Sequence, residues 1–326
     1  MQAVHVDLQE HRRHLILSEA PPPARKAGEI LVSVNAISLN HGEIHSALND
    51  GRAGWRPGWE YAGIVLESDT DSRFLPGDRV FGLMREGAWA EQIAAPEQLA
   101  AAVPDNVEFE AVVSLPVAGM TAMLALSKKQ LGPGKRVLVT AATGAVGRLA
   151  IQLASETNSH VTALIRNLAD DTLVRSLGVR DIVLLEDGIS SKQSFDLILE
   201  GVGGTLLAEA LVNLTSEGIC VLFGNAAHDD VTTFRPDAFR LRPGTAYGGT
   251  MLYGFFLGNE LGRIDATSVL SSLAEKVGSG RLNPSIGIVE DWCNIDAVAR
   301  AVLGKEIVGR AVLRVPHTQP FRDQRL

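Results

Sequence analysis

One short glycine-containing segment combines residue types and spacing that could do chemistry. The apolar run 137–140 (VLVT) is followed directly by 141–147 (AATGAVG) and then by an amphipathic stretch. In an A-x-G-x-x-G pattern between a strand and a helix, the middle glycine lets the backbone approach a pyrophosphate, whose charge the helix N-terminal amides stabilise. We therefore expect a dinucleotide to bind here, with an ordinary strand-to-helix turn as the alternative. The expected contacts are Thr143, Gly144, Ala145 and Val146.

The sequence about twenty residues later bears on which dinucleotide binds. At the end of the next apolar run, 161–165, an acidic residue would bind the ribose 2′-hydroxyl of NAD. Arg166 and Asn167 stand there instead, and a guanidinium can pair with the 2′-phosphate of NADPH. The sequence therefore predicts NADPH as the cofactor, with a solvated loop arginine as the alternative interpretation of Arg166.

The elements that would position these residues alternate along the middle of the chain. Strands that are apolar throughout and separated by helices indicate a parallel sheet covered on both faces. The predicted strands are 137–140, 161–165, 182–185, 196–199 and 219–223, and the predicted helices are 148–156, 173–177 and 206–214. This alternation is typical of a Rossmann domain, which is a doubly wound parallel sheet.

Segments of a different texture flank this region. The first third has short β-branched runs at 30–35 and 61–66, separated by clusters of turn residues. The end of the chain has predicted helices at 268–277 and 295–303 and a predicted strand at 311–315. The predicted fold class is α/β, in which a β-rich domain formed by residues 1–116 and 258–326 contains an inserted Rossmann domain at 117–257.

Composition and charge exclude several classes of function. The 326 residues are 46% apolar and 21% charged, as in ordinary globular proteins, and carry a net charge of −8. The acidic balance argues against nucleic acid and anionic membranes as partners, and no apolar run reaches the ~18 residues of a membrane helix. Cys220 and Cys293 are too few for a disulfide framework, so a cytoplasmic location is predicted.

Taken in order, eight segments resemble the medium-chain dehydrogenase/reductase superfamily, in its zinc-independent quinone oxidoreductase and enoyl reductase branch. The resemblance covers nearly the whole chain and implies that the β-rich domain is a GroES-like substrate domain. The segments are GEILVSVNAISLN, PGWEYAGIV, PGDRVFG, GAWAEQIAAP, SLPVAGMTAMLAL, PGKRVLVTAATGAVG, FDLILEGVGG and VGRAVLRV.

The resemblance also indicates where zinc-dependent members hold a catalytic zinc ion. The matching positions are Asn40, Trp59 and Val117. An indole and an aliphatic side chain cannot ligate zinc, and a carboxamide is a poor ligand beside thiolate and imidazole. The four-cysteine structural lobe of those members is missing too, so no metal site is predicted.

For the reaction itself, the resemblance implies roles for three side chains. Asn40 matches an asparagine beside the nicotinamide, and Thr121 matches a threonine near it. His45 falls where zinc alcohol dehydrogenases often have a relay histidine, and an imidazole can supply a proton near neutral pH. A turn-capping asparagine and a surface histidine are the alternatives for Asn40 and His45. Glu43 and Glu60 are interpreted as structural, Glu60 as an internal salt-bridge partner.

The predicted activity is NADPH-dependent hydride transfer to an activated C=C bond of an α,β-unsaturated carbonyl compound. Hydrogen-bond donors must stabilise the negative charge that develops on the carbonyl oxygen, and Asn40 and Tyr253 are the candidate side chains. The predicted catalytic residues are therefore Asn40, His45 and Tyr253. Further cofactor contacts are expected at Asn40, Thr121, Val202, Phe223, Gly224 and Leu252.

Two other functions remain open at this point. The same scaffold could reduce a quinone or a carbonyl compound, and a non-catalytic NADPH-binding protein is the third possibility. Some thioester enoyl reductases use a tyrosine that has no counterpart in the segment 49–52 (NDGR). Small enones and quinones are therefore favoured over acyl-thioesters as substrates.

The segment 245–252 (TAYGGTML) predicts a homodimer. It follows the strand predicted at 219–223, is largely apolar, and would form an edge strand with unpaired amides and carbonyls. The resemblance implies that two such edges pair across a two-fold axis, the commonest oligomer symmetry. The alternative is that Phe255 and Phe256 fold back to cover the edge.

Overall fold

The computed structural model describes residues 1–189, 193–227, 231–235 and 249–316. The chain forms two compact units: unit 1 comprises Met1–Val117 and Asp265–Leu326, and unit 2 comprises Ala118–Ile264. The sequence-based domain boundaries fall after residues 116 and 257. The boundaries between the compact units fall after residues 117 and 264. The two units are considered separately.

Unit 1 is built on sheets whose strands pair antiparallel, except for the parallel pair of β14 and β15. Strands β1 (Gln2–Gln9) and β2 (Arg12–Glu19) form a separate pair, and the larger sheet has the order β14-β15-β3-β4-β5-β7 with β6 also paired to β3. Its strands are β3 (Glu29–Leu39), β4 (Glu60–Glu67), β5 (Arg79–Leu83), β6 (Gln92–Pro96), β7 (Ala100–Ala102), β14 (Ile286–Asp291) and β15 (Arg310–Arg314). The helices named below are α1 (His41–His45), α2 (Phe109–Val112), α8 (Ala266–Gly278) and α9 (Ile295–Leu303).

The strand β3 organises this unit because it pairs with three others. Its alternating apolar residues Ile30, Val32 and Val34 are fully buried, which is the period-2 pattern of a half-buried strand. The strand continues to Leu39, beyond the predicted 30–35, because its second half pairs with β15 through Ala311 opposite Leu39. This register brings Arg310 beside Asn40, where the first chemically interesting loop begins.

Unit 2 is a six-stranded parallel sheet with the strand order β10-β9-β8-β11-β12-β13. Numbered along the chain from β8, this is the order 3-2-1-4-5-6 of the Rossmann fold, so the predicted α/β fold class is confirmed. The strands are β8 (Arg136–Val139), β9 (His160–Ile165), β10 (Asp181–Leu184), β11 (Phe195–Glu200), β12 (Leu214–Leu222) and β13 (Met251–Gly254). The helices are α3 (Pro116–Leu126, which begins in unit 1), α4 (Ala145–Ser155), α5 (Asp171–Ser176), α6 (Gly204–Val212) and α7 (Leu257–Leu261).

Several elements of unit 2 differ from the sequence-based expectation. Strand β12 begins at Leu214 instead of residue 219, and helix α3 was not predicted. Helix α4 begins at Ala145 instead of residue 148, because Gly144 serves as its N-cap and the glycine loop itself forms the first turn. Strand β13 covers Met251–Gly254, whereas the prediction was 245–252, of which residues 245–248 lie outside the described residues. None of the helices in the described ranges is long and apolar enough to cross a membrane.

Candidate functional site

The glycine loop of unit 2 has the geometry of a phosphate cradle. Ala141 has a left-handed φ of 47°, which turns the chain out of β8, and Gly144 caps α4. A Cβ atom on Gly147 would lie 2.5 Å from the carbonyl oxygen of Ala141, so only glycine allows the helix to approach the loop this closely. Gly144 is exposed, and Thr143 is only half-buried. The N-terminal amides of an eleven-residue helix are thus accessible at this loop.

Arg148 holds the glycine loop from behind. Its Nε donates to the carbonyl oxygen of Thr143 at 2.7 Å, although the residue is only 5% exposed. Burial lowers the pKa of this guanidinium, and Asp170 opposes the shift. The side chain therefore remains charged, since an arginine pKa stays far above neutrality, and it fixes the direction of the Thr143 carbonyl.

A buried carboxylate joins the glycine loop to the next loop along the sheet edge. Glu200, at the end of β11, accepts from Thr140 Oγ1 at 3.0 Å and from the backbone amides of Val202 and Gly203 at 2.8 and 2.9 Å. Thr140 Oγ1 in turn accepts from the Gly201 amide at 2.9 Å. Because β8 and β11 are neighbouring parallel strands, these bonds fix both loops at the carboxyl edge of the sheet, where ligands bind in open α/β folds.

The structure brings three of the other predicted cofactor residues to this edge. Val202 lies in the loop that Glu200 holds, and the Phe223 ring packs so closely on Gly201 that a Cβ there would lie 2.7 Å from it. A Cβ on Gly224 would approach the Gly201 carbonyl oxygen to 3.0 Å, so the two loops touch. Leu252 instead lies within β13, in register with Cys220, and is 42% exposed.

Arg166 and Asn167 follow β9 directly, as the strand prediction required, and both are exposed. Asn167 Oδ1 accepts from the amide of Ala169 at 3.0 Å and caps a short 3₁₀ turn, Leu168–Asp170. Because β9 is the parallel neighbour of β8, Arg166 lies after the strand next to the one that precedes the glycine loop. Thr121, the predicted nicotinamide contact, lies on α3 and is 7% exposed.

Tyr253 lies in a different cluster of unit 2. Its hydroxyl donates to Glu260 Oε1 at 2.5 Å, and the Lys128 ammonium donates to the tyrosine oxygen at 3.2 Å and to Glu260 Oε2 at 2.6 Å. The ammonium also lies 4.5 Å from the centre of the Tyr253 ring. The hydrogen bond from Lys128 holds the pKa of Glu260 below its ordinary value. The Tyr253 hydroxyl proton is thus engaged within unit 2.

In unit 1, Asn40 is the centre of a buried polar network. Arg310 Nη1 donates to Asn40 Oδ1 at 2.8 Å, and Asn40 Nδ2 donates to Glu43 Oε1 at 3.0 Å and to Glu60 Oε2 at 2.7 Å. Arg310 Nη2 binds Glu60 Oε2 at 2.5 Å and Ser38 Oγ at 2.8 Å, and Ser38 donates to the same carboxylate. The prediction that Glu60 is an internal salt-bridge partner is confirmed.

Glu43 and Glu60 share one cation inside this network, and both side chains are fully buried. Burial, together with the neighbouring Glu60 charge, raises the pKa of Glu43 from 4.5 to about 8. Glu43 Oε1 accepts from the Asn40 amide at 2.8 Å, while Oε2 has no hydrogen-bond partner. Glu43 therefore holds a proton at neutral pH, which leaves one carboxylate paired with one guanidinium.

The three positions that match zinc ligands are occupied by other interactions. Both donor hydrogens of the Asn40 amide point into the network, the Val117 amide donates to Glu60 Oε1 at 2.6 Å, and the Trp59 ring lies 3.5 Å from where a Cβ on Gly42 would stand. Within the described residues, no group of three or more histidine, cysteine or carboxylate side chains could hold a metal ion.

His45 ends α1 and is exposed. Its ring stacks on that of His41, with centroids 6.3 Å apart and an interplanar angle of 19°. The helix places the two imidazoles on one face because they are four residues apart. His45 thus lies on the same short helix as Glu43 but faces outward, as a proton donor to a bound molecule would have to.

Sequence reasoning missed three residues that build these sites. Arg310 lies in the closing segment VGRAVLRV, but nothing in the sequence pairs it with Asn40, 270 residues away. Glu200 has a signal that could have been used, since an acid at the end of a buried strand and before a glycine-rich loop needs backbone amides as partners. Arg148 has one too, because a cation in the first turn of a helix opposes the helix dipole.

The fold and the glycine loop define a GroES-like unit combined with a Rossmann unit, and comparison with known proteins agrees. The family described as alcohol dehydrogenase GroES-like domain matches residues 26–105. The chain is 35% identical over 183 residues to the chloroplastic quinone-oxidoreductase QR1 of Triphysaria versicolor, covering 51% of this chain and 55% of that protein. The chain thus spans about half the length of this relative.

Longer matches extend the comparison. The chain is 32% identical over 224 residues to the chloroplastic quinone-oxidoreductase homolog of Spinacia oleracea (61% of this chain, 67% of that protein). It is 27% identical over 321 residues to quinone oxidoreductase-like protein 2 of Bos taurus (93% and 90%). The yhdH oxidoreductase of Salmonella enterica, solved in complex with NADP, shares the fold with a TM-score of 0.81 at 22% identity, over 97% of this chain and 100% of that one. The chain belongs to the medium-chain dehydrogenase/reductase superfamily and, within it, to the quinone oxidoreductase branch.

The protonated state of Glu43 predicts how stability depends on pH. In the folded chain Glu43 keeps its proton up to pH about 8, whereas in the unfolded chain it ionises near 4.5. Its contribution to stability is therefore complete below pH 4.5 and is lost as the pH rises to 8, at about 1.4 kcal/mol per pH unit. Glu43→Gln should remove this slope, since the amide nitrogen replaces an oxygen without a hydrogen-bond partner.

Urea unfolding of both proteins at pH 5.5 and 7.5 measures the effect. The stability of Glu43→Gln relative to the natural chain should rise by about 3 kcal/mol between the two pH values. Glu67→Gln, at the exposed end of β4, is the control and should show no such rise. Parallel pH profiles for Glu43→Gln and the natural chain would show that Glu43 is ionised in the fold.

Proposed function

We propose that the protein is an NADPH-dependent oxidoreductase that transfers hydride to the C=C bond of an α,β-unsaturated carbonyl compound. The observation that carries the proposal is the carboxyl edge of the unit 2 sheet. There the accessible N-terminus of α4 begins at Ala145 and packs closely on the glycine loop at Gly147, and Arg166 stands where an acid would select NAD. The relatives named quinone oxidoreductases support the class of reaction.

The residues of this edge fit a dinucleotide phosphate. A side chain at Gly147 would fill the space that brings helix and loop together, and the Arg148 bond to Thr143 keeps that loop in place. Glu200 holds the adjoining loop. In the proposed complex, the α4 amides bind the pyrophosphate, Arg166 binds the 2′-phosphate, and Thr121 contacts the nicotinamide ring. Bound NADPH supplies the hydride.

The catalytic roles in unit 1 follow from which side chains are engaged and which face outward. Asn40 donates both amide hydrogens to carboxylates, so we assign it a positioning role that fixes the loop before α1. His45 is exposed on that helix and is the proposed proton donor to the carbon beside the carbonyl, with solvent as the alternative. Tyr253, whose hydroxyl donates a hydrogen bond to Glu260, is assigned to stabilising unit 2.

Reduction of a quinone is the second candidate, and the names of the relatives favour it. A quinone is itself a conjugated carbonyl compound, so the same hydride donor serves both substrates. We also propose that neither reaction uses zinc. The support is that the amides of Asn40 and Val117 are bound to carboxylates and that indole cannot ligate the ion.

A substrate comparison tests the function. Purified protein is mixed with NADPH and either a small enone or a benzoquinone, and loss of the reduced nicotinamide absorbance is followed before and after exhaustive chelation. We expect turnover of the enone at a rate that chelation leaves unchanged. Turnover of the quinone alone would favour the second candidate, and NADPH binding without turnover of either substrate would indicate a non-catalytic binding protein. Loss of activity on chelation would contradict zinc independence.

The choice of cofactor is tested at Arg166. Arg166→Ala should weaken the binding of NADPH about three- to ten-fold and leave the binding of NADH nearly unchanged. The expected loss is modest because an exposed ion pair is partly screened by solvent. Fluorescence titration with both dinucleotides measures this. Arg175→Ala is the control, because that exposed arginine is already paired with Asp171. Equal losses for both cofactors would remove Arg166 from the 2′-phosphate site.

We further propose that the protein is a homodimer joined through β13. Among the described strands β13 pairs only with β12, so within the described residues one side of it is an edge without a partner strand. Met251 and Leu252 on this strand are 51% and 42% exposed. Of the two phenylalanines in the alternative interpretation, Phe255 is buried and Phe256 is exposed, and these two side chains of the strand still remain accessible. An open edge with exposed apolar side chains favours pairing with a second copy across a two-fold axis.

Light scattering at micromolar concentration measures the oligomeric state. We expect twice the chain mass of 34.8 kDa for the natural protein and a shift toward the single mass for Leu252→Lys, which places a charge on the edge strand. Leu8→Lys, at an exposed leucine of unit 1, is the control and should stay at the double mass. A single mass for the natural protein at all concentrations would contradict the dimer. A reducing cytoplasmic location, for which the free Cys220 and Cys293 are the support, remains part of the proposal.

A further inference from the structure

The bond of Arg148 to Thr143 does not explain why the rest of its guanidinium is nearly buried without a bonded partner. Only its Nε is bonded, to the Thr143 carbonyl oxygen. Its two terminal nitrogens donate no hydrogen bond to any described residue, and no carboxylate of the described chain lies within ion-pair distance. Yet 95% of the residue is buried, since its relative exposure is 5%, and the terminal nitrogens are not among the fully enclosed polar atoms without a partner. The two terminal nitrogens of this nearly buried cation are thus in reach of solvent and bond no described residue.

The location of these nitrogens follows from the groups around them. Arg148 is in the first turn of α4, and helical side chains point toward the N-terminus, which brings its guanidinium back to the glycine loop. On its other side, Asp170 is close enough to act on the guanidinium charge. Asp170 ends the turn that follows Arg166 and Asn167. The guanidinium therefore lies between the loop after β8 and the loop after β9.

In a dinucleotide-binding fold, the space between these two loops receives the adenosine ribose, because the acid that selects NAD reaches the 2′-hydroxyl from the end of the second strand. A 2′-phosphate attached to that ribose carries up to two negative charges. The described residues offer two cations on this space: Arg166 from the β9 side, exposed, and Arg148 from the α4 side, nearly buried. The terminal nitrogens of Arg148 supply the paired donors that bind a phosphate in two places.

We propose that Arg148 binds the 2′-phosphate of NADPH as a second guanidinium opposite Arg166, and that it makes the larger contribution to NADPH preference. The inference rests on the proposed function, since it assigns a residue to the phosphate that distinguishes the proposed cofactor. The bond from Nε to Thr143 fixes the plane of the guanidinium, so little freedom is lost when the phosphate binds. Low exposure to water keeps its attraction for an anion from being screened.

The competing explanation is that Arg148 only supports the glycine loop. The two roles predict different losses of nucleotide affinity when Arg148 is replaced. If Arg148 supports the loop, its replacement weakens the binding of every nucleotide that contacts the loop. If Arg148 binds the 2′-phosphate, its replacement weakens only the binding of molecules that carry this phosphate. Arg148→Gln removes the charge and the fork but keeps a side-chain donor for the Thr143 carbonyl. Arg148→Lys keeps the charge and loses the fork. Arg175→Gln, on α5 in the same unit, is the matched control.

Calorimetric titration with 2′,5′-ADP and with 5′-AMP separates these outcomes without requiring turnover. We expect Arg148→Gln to weaken 2′,5′-ADP at least about ten-fold, as for loss of a charged hydrogen-bond pair, and to change 5′-AMP less than about two-fold. Arg148→Lys should lie between this variant and the natural chain, and Arg175→Gln should match the natural chain. In the double variant with Arg166→Ala, the two losses should not add, because both side chains bind the same phosphate.

Other results would overturn the assignment. Equal weakening of both nucleotides by Arg148→Gln and Arg148→Lys would leave Arg148 as a support of the loop, and unchanged affinity for 2′,5′-ADP would exclude contact. If Arg148→Gln does not fold, as judged by circular dichroism, Arg148→Lys decides, because a ligand of the phosphate predicts a selective loss for it and a loop support does not. Failure of the natural protein to bind 2′,5′-ADP or NADPH at all would instead contradict the proposed cofactor.

Discussion

The buried charge of Arg310 is the constraint on which the architecture of unit 1 depends. A guanidinium at 4% exposure is stable only if its charge is paired and its donors are bonded, and removing one partner of such a pair costs about 3–5 kcal/mol. Glu60 supplies the charge, and Ser38 and Asn40 accept bonds from the two terminal nitrogens, while the buried Nε has no hydrogen-bond partner among the described residues. These partners lie more than 200 residues earlier in the chain, so β15 has to return to β3 after unit 2 is complete.

That pairing also determines what the neighbouring polar groups can do. With one cation for two fully buried carboxyl groups, ionisation of both would leave a net negative charge in the interior, so Glu43 keeps its proton. Asn40, whose side-chain amide donates to both carboxyl groups, cannot turn outward without giving up a hydrogen bond to each of them. A position that holds a metal in zinc-dependent relatives has here become part of the interior. Under the proposed function, a proton donor from this segment therefore has to come from the exposed side of α1, where His45 lies.

The sequence predicted the elements whose signals are local and missed the contacts that join distant segments. The apolar runs gave all five of the expected strands of unit 2, because a strand buried on both faces has to be apolar throughout. The glycine loop was predicted because the close approach at Gly147 leaves no room for a side chain. The bonds of Arg310 to Asn40 and of Tyr253 to Lys128 could not be predicted, because each depends on a register between segments more than 100 residues apart.

The chain is acidic as a whole, whereas the carboxyl edge of the unit 2 sheet carries the arginines Arg148 and Arg166. A protein of net charge −8 repels a phosphorylated ligand at long range, so binding depends on cations that act at short range. Exposed Arg166 is screened by water and salt and contributes little alone. A cation held in a nearly buried position, as at Arg148, is screened far less, but burying it is unfavourable while its terminal donors have no partner. A bound phosphate would bring the opposite charge that the described residues do not place within ion-pair distance of Arg148, so under the proposed function this position favours a phosphorylated cofactor.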